Sequence, residues 1–507
     1  MQRHLDAFTK GTFDLCVIGG GITGAGVALD AATRGWRVAL IDKGDFAAGT
    51  SSASSKLVHG GLRYLEYGHL SLVHEALVER GRLLRNAPHL VAPLPFLLPF
   101  YRGQRVRPWK WRLGLMLYDM LAGAENIARS RRLSRERMRA SLPSLRQDGL
   151  LGGAMYHDAL MDDARLCITV LRTAARHGAV LANYVEAVDF ELERGRIVGV
   201  WARDRVGEKR FLIRSRAVLN AAGPWADALC RLAGDTGETH LQPTKGVHLI
   251  AADLGHRLAY LLLHPRDGRV FFVIPWLGKT LIGTTDTFPQ ATPDALSVSA
   301  EEIGYLLDGY NHHFEPPLTT EDVMGTFAGL RPLMRSRPGE PSSLTREFRL
   351  HESASGLVTA LGGKYTTFRQ MAETIVDLLG QRLRITRRCR TRDLPLIGTP
   401  TTPWPRFFAA TLAKLQYDYP IPADAAAHLL HRHGDQAQEV AKSIAQVTGG
   451  FERVHPDEPD LLGEERYQRA EEMAIHPADV FLRRTRVGMW RPELLHCASI
   501  SHAQATP

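Results

Sequence analysis

The chain has 507 residues, 44% of them hydrophobic and 23% charged, with a net charge of +9. This length outgrows a single hydrophobic core and excludes a small stapled scaffold or a disordered chain. The surplus of Lys and Arg points to an anionic partner: lipid, nucleic acid or a phosphorylated small molecule.

The five cysteines, Cys16, Cys167, Cys230, Cys389 and Cys497, are scattered without C-x-x-C spacing. Disulfides and a bound metal are therefore not expected. No apolar leader precedes Phe13, and no run reaches the roughly 18 uncharged apolar residues of a spanning helix. A cytoplasmic chain is expected.

Phe13 to Ile18 alternate and then run apolar, as a buried strand does. Gly19, Gly21 and Gly24 follow in G-x-G-x-x-G spacing; the next helix stops at Gly35, and Arg37 to Ile41 predict a second parallel strand. The first glycine permits a tight turn. The second lets a pyrophosphate approach the helix N-terminus, and the third lets the helix pack on the strand. Asp42 stands 18 residues beyond Gly24, where an acid holds a ribose hydroxyl. A glycine turn alone fits an ordinary α/β domain; strand, helix, strand and acid in register predict an adenine-dinucleotide site.

Gly49 to Gly68, GTSSASSKLVHGGLRYLEYG, is a run of small polar residues followed by two glycines and an amphipathic stretch. Phe96 to Arg132 mixes aromatic and aliphatic residues with many cations and few acids. That composition suits a membrane interface, and equally a core-packed helix with a solvated basic face. Val270 to Trp276 and Thr280 to Asp286, separated by LGK, predict an antiparallel hairpin placed to roof the nucleotide. Beyond Thr391, alanine-rich stretches such as Pro422 to Gly434, which Gly434 terminates, and Asp435 to Val447 predict a separate helical domain.

The segment TSSASSKLVHGGLRYLE resembles the signature of flavin-linked glycerol-3-phosphate dehydrogenases, membrane-associated enzymes that oxidise sn-glycerol 3-phosphate and reduce a quinone. The resemblance continues through MDDARL (Met161 to Leu166), NAAGPWA (Asn220 to Ala226), KGVHLI (Lys245 to Ile250), FFVIPW (Phe271 to Trp276), IGTTDT (Ile282 to Thr287), GLRPL (Gly329 to Leu333), TREF (Thr345 to Phe348), GGKYTTFR (Gly362 to Arg369) and HPADVFLRRTRVG (His476 to Gly488). It implies an α/β fold: a Rossmann-type FAD-binding domain interleaved with an antiparallel-sheet substrate domain, and a helical C-terminal domain. The oxidoreductase region would span 1–388, with FAD-binding parts near 13–90, 161–234 and 324–380 and substrate-covering parts near 91–160 and 242–323; the helical domain would span 389–507.

Through the resemblance, FAD is expected at Gly19, Gly21, Ile22, Thr23 and Gly24 of the turn, at Asp42 and Lys43, and along Thr50, Ser51, Ser52, Ser54, Lys56, Leu57, His59 and Gly60. Further contacts are expected at Val185, at Ala222, Gly223 and Trp225, and at Gly329, Gly363, Lys364, Tyr365 and Thr366. Oxidising a secondary alcohol needs a group that takes the hydroxyl proton as hydride leaves. His248 is the first candidate, with His59 as the other histidine in a family motif. A phosphate dianion needs fixed donors, best the planar fork of Arg: Arg63, Arg331 and Arg346, joined by Tyr64 and Lys364. Lys364 could instead serve the flavin's carbonyl edge, and Thr285 and Asp286 could be turn residues. The chain departs from the family at Thr23, Asp42 and Tyr365, where asparagine, glutamate and leucine are usual.

The implied partners are sn-glycerol 3-phosphate, ubiquinone or menaquinone, the inner face of the cell membrane and a second copy in a homodimer, with no nucleic acid. Two other readings use the same residues: a glycerol-3-phosphate oxidase passing electrons to dioxygen, and a non-enzymatic dinucleotide module with a basic nucleic-acid-binding domain. Against the latter, basic residues of the C-terminal half are interspersed with acids.

Overall fold

A computed structural model describes residues 1–104, 106–235, 239–289, 291–335 and 348–496. Its opening unit follows the sequence pattern: strand Phe13–Ile18, helix Ile22–Thr33 and strand Val38–Ile41, the strands pairing in parallel. Gly24 is dictated by the packing, since a Cβ there would lie 1.9 Å from the Gly19 carbonyl oxygen.

The first sheet runs, edge to edge, Phe348–Glu352, Val358–Gly362, Arg210–Asn220, Phe13–Ile18, Val38–Ile41 and Val180–Ala182. All neighbours on this path are parallel except the first pair, and the hairpin Val185–Glu193 with Arg196–Asp204 pairs antiparallel with the first residues, Arg210 to Arg214, of Arg210–Asn220. Helices Ile22–Thr33, Asp163–Arg176 and Phe368–Leu383 bury Ala28, Leu171 and Ile375 in one core with Leu15, Val17 and Leu40. The other face of the same strands, Cys16, Ile18, Ala39 and Ile41, packs on Phe190, Val200 and Ile213, so the parallel strands are apolar on both faces.

The second sheet orders Val323–Arg331, Thr244–Ala251, Lys279–Gly283, Val270–Trp276, Ala259–Leu263, Val91–Tyr101, Leu150–Met161 and Leu57–Val58. It is antiparallel apart from Ala259–Leu263 beside Val91–Tyr101. The hairpin expected at Val270 forms, its return strand ending at Gly283. Leu57–Val58 and Val323–Arg331 belong to this sheet, the latter paired along Thr244–Ala251.

The basic aromatic segment divides in two. Phe96 to Phe100 form a central strand with Phe96, Leu97, Leu98 and Phe100 all buried, so this part faces the core and not a membrane. Helix Pro108–Ala122 instead buries Leu115, Tyr118 and Ala122 and exposes Trp109, Leu113, Met116 and Met120, a spacing that puts the four on one face. Among the described residues, no helix is long and apolar enough to cross a membrane.

Beyond residue 400, helices Trp404–Asp418, Ala423–His433, Ala437–Ile444 and Glu464–Glu472 enclose a core of Leu415, Leu429, Val440 and Ile444, with Gly434 at the predicted stop. This unit is tied to the flavin-type sheet by buried ion pairs. Glu472 accepts from Arg165 at 2.7 and 2.8 Å and from Arg172 at 3.1 Å. Burial pushes its carboxyl up, but the two guanidiniums outweigh burial and hold it at about 2. Glu472→Gln should therefore cost about 3–5 kcal/mol at neutral pH, because two buried cations lose their counter-charge. The folded carboxyl is more acidic than its usual 4.5, so its contribution is complete above that value and fades as pH falls toward 2. Denaturation of wild type and variant at pH 7 and pH 3 checks this: the gap between them must narrow at the lower pH.

Candidate active site

One cleft of about 970 Å³ runs between the two sheets, at the upper end of the roughly 300–1,000 Å³ of small-molecule and cofactor sites. Its floor is the glycine turn, with Gly19, Gly21, Ile22 and Thr23 on the wall. Gly21 caps the first helix, whose Ile22 N–H donates to Ser51 Oγ at 2.9 Å. The helix dipole and this small-residue cradle suit a pyrophosphate.

Asp42, at the end of the second parallel strand, accepts from the N–H groups of Gly20 at 2.6 Å and Gly44 at 2.8 Å. Burial is the main reason its carboxyl is pushed up to about 6; the two N–H groups oppose that and the neighbouring Asp45 adds to it. Lys43 lies over the Trp225 ring, and both side chains meet Asp294 at 3.0 Å. Glu186, Arg203 and Arg205 also line this part of the cleft, next to Val185, which lies behind the wall.

Thr50, Ser51, Ser54, Leu57 and His59 line the cleft, as do Ala222, Gly223, Trp225, Gly329, Gly363, Lys364, Tyr365 and Thr366. Gly24, Ser52, Lys56 and Gly60 stand behind it. Gly60 donates its N–H to Tyr118 Oη at 2.8 Å. Lys56 is fully buried, its Nζ held by Asp163 at 2.8 and 2.9 Å and by the Ser52 carbonyl at 2.7 Å. Burial, then the nearby Arg486, lower the ammonium to about 7 against the pull of Asp163.

Arg486, from the C-terminal domain, donates to the Ser52 carbonyl at 2.9 Å and to Asp163 at 3.1 Å. Ser54 donates to the same carboxylate at 2.7 Å, and the Tyr365 hydroxyl donates to the Asp163 carbonyl. Asp163 thus pins the Thr50–Leu57 loop, the GGKY segment and the C-terminal domain together. Neither Asp163 nor Arg486 was singled out from the sequence, although both lie in family-like motifs; the role of Tyr365 as a tie to that knot was equally hidden.

His248 lies on strand Thr244–Ala251 at the cleft wall, its Nε2 2.9 Å from Ser55 Oγ. Phe327 stacks on it with ring centroids 4.8 Å apart. Gly283 makes room, since a Cβ there would lie 2.3 Å from His248 Cδ2. Burial, then Lys56 and Arg331, hold the imidazolium down at about 3, so the ring is neutral at physiological pH.

Arg331 also lines the cleft, donating to Asp286 Oδ1 at 3.0 Å and to Thr284 Oγ1 at 3.1 Å. A Cβ on Gly246 would lie 2.5 Å from its guanidinium. Lys364 Nζ sits 3.8 Å from the centroid of the Tyr64 ring, and both residues face the cleft. Arg63 precedes Tyr64 in the 3-10 helix Leu62–Tyr67 and is half-buried off the wall. Arg346 lies outside the described residues, as does Arg105 of the basic aromatic segment. Neutral imidazole, guanidinium and ammonium thus share one cleft with the glycine turn, an arrangement able to bind a phosphorylated alcohol beside a dinucleotide.

Residues 14–372 match the family described as FAD dependent oxidoreductase, and residues 389–499 match the C-terminal domain of alpha-glycerophosphate oxidase. The chain is 38% identical over 497 residues to the aerobic glycerol-3-phosphate dehydrogenase of Bacillus subtilis, covering 96% of this chain and 89% of that one. It is 37% identical to the Staphylococcus aureus protein of that name, over 93% of this chain and 86% of the other. A solved glycerol-3-phosphate dehydrogenase from Bacillus halodurans, complexed with FAD, superposes with a TM-score of 0.80 at 33% identity, over 97% of this chain and 89% of that one. The fold, the cleft and these relationships together establish that the chain belongs to the FAD-dependent glycerol-3-phosphate dehydrogenase family, aerobic type.

Proposed function

We propose that this enzyme oxidises sn-glycerol 3-phosphate to dihydroxyacetone phosphate and passes the electrons to a quinone in the cell membrane, on whose inner face it docks. The observation that carries the reading is the convergence of His248, Arg331, Lys364 and Tyr64 on the cleft that the glycine turn opens. FAD, when bound, supplies the two-electron acceptor for a hydride from C2. Ile22, Ser51 and Thr23 would hold its pyrophosphate, Asp42 a ribose hydroxyl, and Gly363 to Thr366 the ring end. Arg331 and Lys364 bind the phosphate and turn C2 inward. His248 Nε2, with the Ser55 hydroxyl beside it, takes the hydroxyl proton, leaving a ketone.

The exposed stripe of helix Pro108–Ala122 supports docking on lipid. Trp109, Leu113, Met116 and Met120 would enter the headgroup boundary while exposed Arg107, Lys110 and Arg112 meet anionic lipid. Replacing Leu113, Met116 and Met120 with Gln, and Lys110 and Arg112 with Ser, should move the protein from the membrane to the soluble fraction, each cation contributing about 1 kcal/mol. Activity with a soluble dye should persist. Unchanged fractionation would assign the stripe another role.

Acceptor choice is read directly by supplying a water-soluble quinone analogue and dioxygen together. Quinol formation matching substrate consumption, with little hydrogen peroxide, is expected; peroxide equal to substrate consumed would make the enzyme an oxidase.

A further inference from the structure

Away from the cleft wall, helix Ala226–Leu232 and edge strand Phe348–Glu352 bring four metal-ligating side chains together. Cys230 is on the helix, Asp235 and His240 follow it, and His351 is on the strand. The donor atoms of Cys230, Asp235 and His240 all lie within 4.8 Å of one another. His240 Nε2 is 3.6 Å from Asp235 Oδ2, and His351 Nε2 is 2.6 Å from the same oxygen. The two imidazole rings lie with centroids 4.1 Å apart. Bonds of about 2.3 Å to sulfur and 2.0–2.2 Å to nitrogen or oxygen set donors roughly 3.3–3.6 Å apart in a tetrahedral zinc site. His240 and Asp235 already stand at that spacing; His351, now hydrogen-bonded to the carboxylate at 2.6 Å, must draw back by about 1 Å to share an ion with it, and the sulfur, within 4.8 Å of the other two donors, must close on them by up to about 1 Å.

We propose that Cys230, Asp235 and His240, with His351 as fourth donor, bind a divalent transition metal ion of the zinc type. One thiolate, imidazole and one carboxylate favour such a borderline cation over calcium or magnesium, which prefer oxygen alone. The loop is prepared for it: Asp227 accepts from the N–H groups of His240 at 3.1 Å and Leu241 at 3.2 Å, fixing where His240 starts. The sulfur now contacts Thr359 Oγ1 at 3.3 Å and Asn220 Nδ2 at 3.8 Å, contacts it would exchange for the ion. Binding as a thiolate would release the thiol proton.

The sequence concealed this set because its spacing, C-x4-D-x4-H with a histidine over 100 residues on, matches no local zinc pattern. An ion there would staple the helix that contributes Ala228, Leu229 and Leu232 to the flavin cleft to the edge of the parallel sheet.

The test is titration of the chelator-washed holoenzyme with Co²⁺, read by d–d absorption in the red, beyond the flavin bands, and by the thiolate charge-transfer band. One equivalent should bind with both signals, Zn²⁺ should displace it, and Zn²⁺ should raise the unfolding temperature of the wild type by mass action. Cys230→Ala should abolish the charge-transfer band. His240→Ala should weaken Co²⁺ binding by about tenfold or more; this half-exposed position decides the matter if the cysteine variant loses its flavin. Cys389→Ala should bind like the wild type. No tetrahedral cobalt spectrum in the wild type, or a spectrum that survives both Cys230→Ala and His240→Ala, would leave Asp235 and the histidines as an ordinary ion-pair cluster and overturn the proposal.

Discussion

Replacing His248 with Gln is expected to lower kcat by about 10²–10⁴-fold, the usual worth of a positioned general base, while the flavin stays bound. The imidazole is fixed on three sides: Phe327 on its face, Ser55 at Nε2 and the bare Gly283 backbone against its edge. Burial and two neighbouring cations keep it neutral. It is therefore ready to accept a proton but is a weak base in the empty site. A dianionic phosphate bound beside Arg331, as proposed above, would offset those cations and raise the ring's basicity. His59→Gln should cause a far smaller loss: its main-chain N–H donates to Thr366 Oγ1 and its carbonyl accepts from that hydroxyl, contacts the substitution keeps. Stopped-flow reduction of the bound flavin reads both. Equal losses in the two variants would take the proton-acceptor role from His248.

Arg331→Ala should reduce kcat/KM for glycerol 3-phosphate roughly 30-fold to several thousand-fold, equivalent to the 2–5 kcal/mol lost when one partner of a buried charge pair is removed. Part of that loss comes from the protein itself, since Asp286 is left facing the phosphate without its guanidinium. Arg331→Ala combined with Asp286→Asn should accordingly recover some activity. Arg331→Lys should recover only part, because a point charge cannot reproduce the two-pronged contact. Glycerol is the control: lacking a phosphate, it should be a very poor substrate for every form, with a much smaller ratio between wild type and Arg331→Ala. Equal ratios for the two substrates would assign Arg331 to the architecture of the strand end.

Features written in adjacent residues were readable without a structure. The strand, glycine turn, helix and acid from Phe13 to Asp42, the hairpin after Val270 and the stop at Gly434 each follow from local periodicity and backbone chemistry. Phe96 to Phe100 misled because a buried apolar strand followed by a run of cations has the composition of an interfacial segment. Only the following helix, with its 3.6-residue stripe, retains that character. The knot of Lys56, Asp163 and Arg486 was beyond a linear reading for another reason. Its members come from the flavin loop, a helix N-terminus and the C-terminal domain, and an isolated basic or acidic residue looks the same whether solvated or buried in a pair. His248 could be singled out by residue type, but its neutrality depends on Gly283, Phe327 and two cations from distant segments.

The most direct measurement is anaerobic addition of sn-glycerol 3-phosphate to the purified yellow protein, with no nicotinamide present, while flavin absorbance is followed. One glycine fingerprint opens the chain and leads into the cleft that also holds His248 and Arg331, so substrate alone should bleach the flavin, and Arg331→Ala should slow that bleaching without releasing the flavin. A flavin that stays oxidised with glycerol 3-phosphate and bleaches only with NADH would contradict this account.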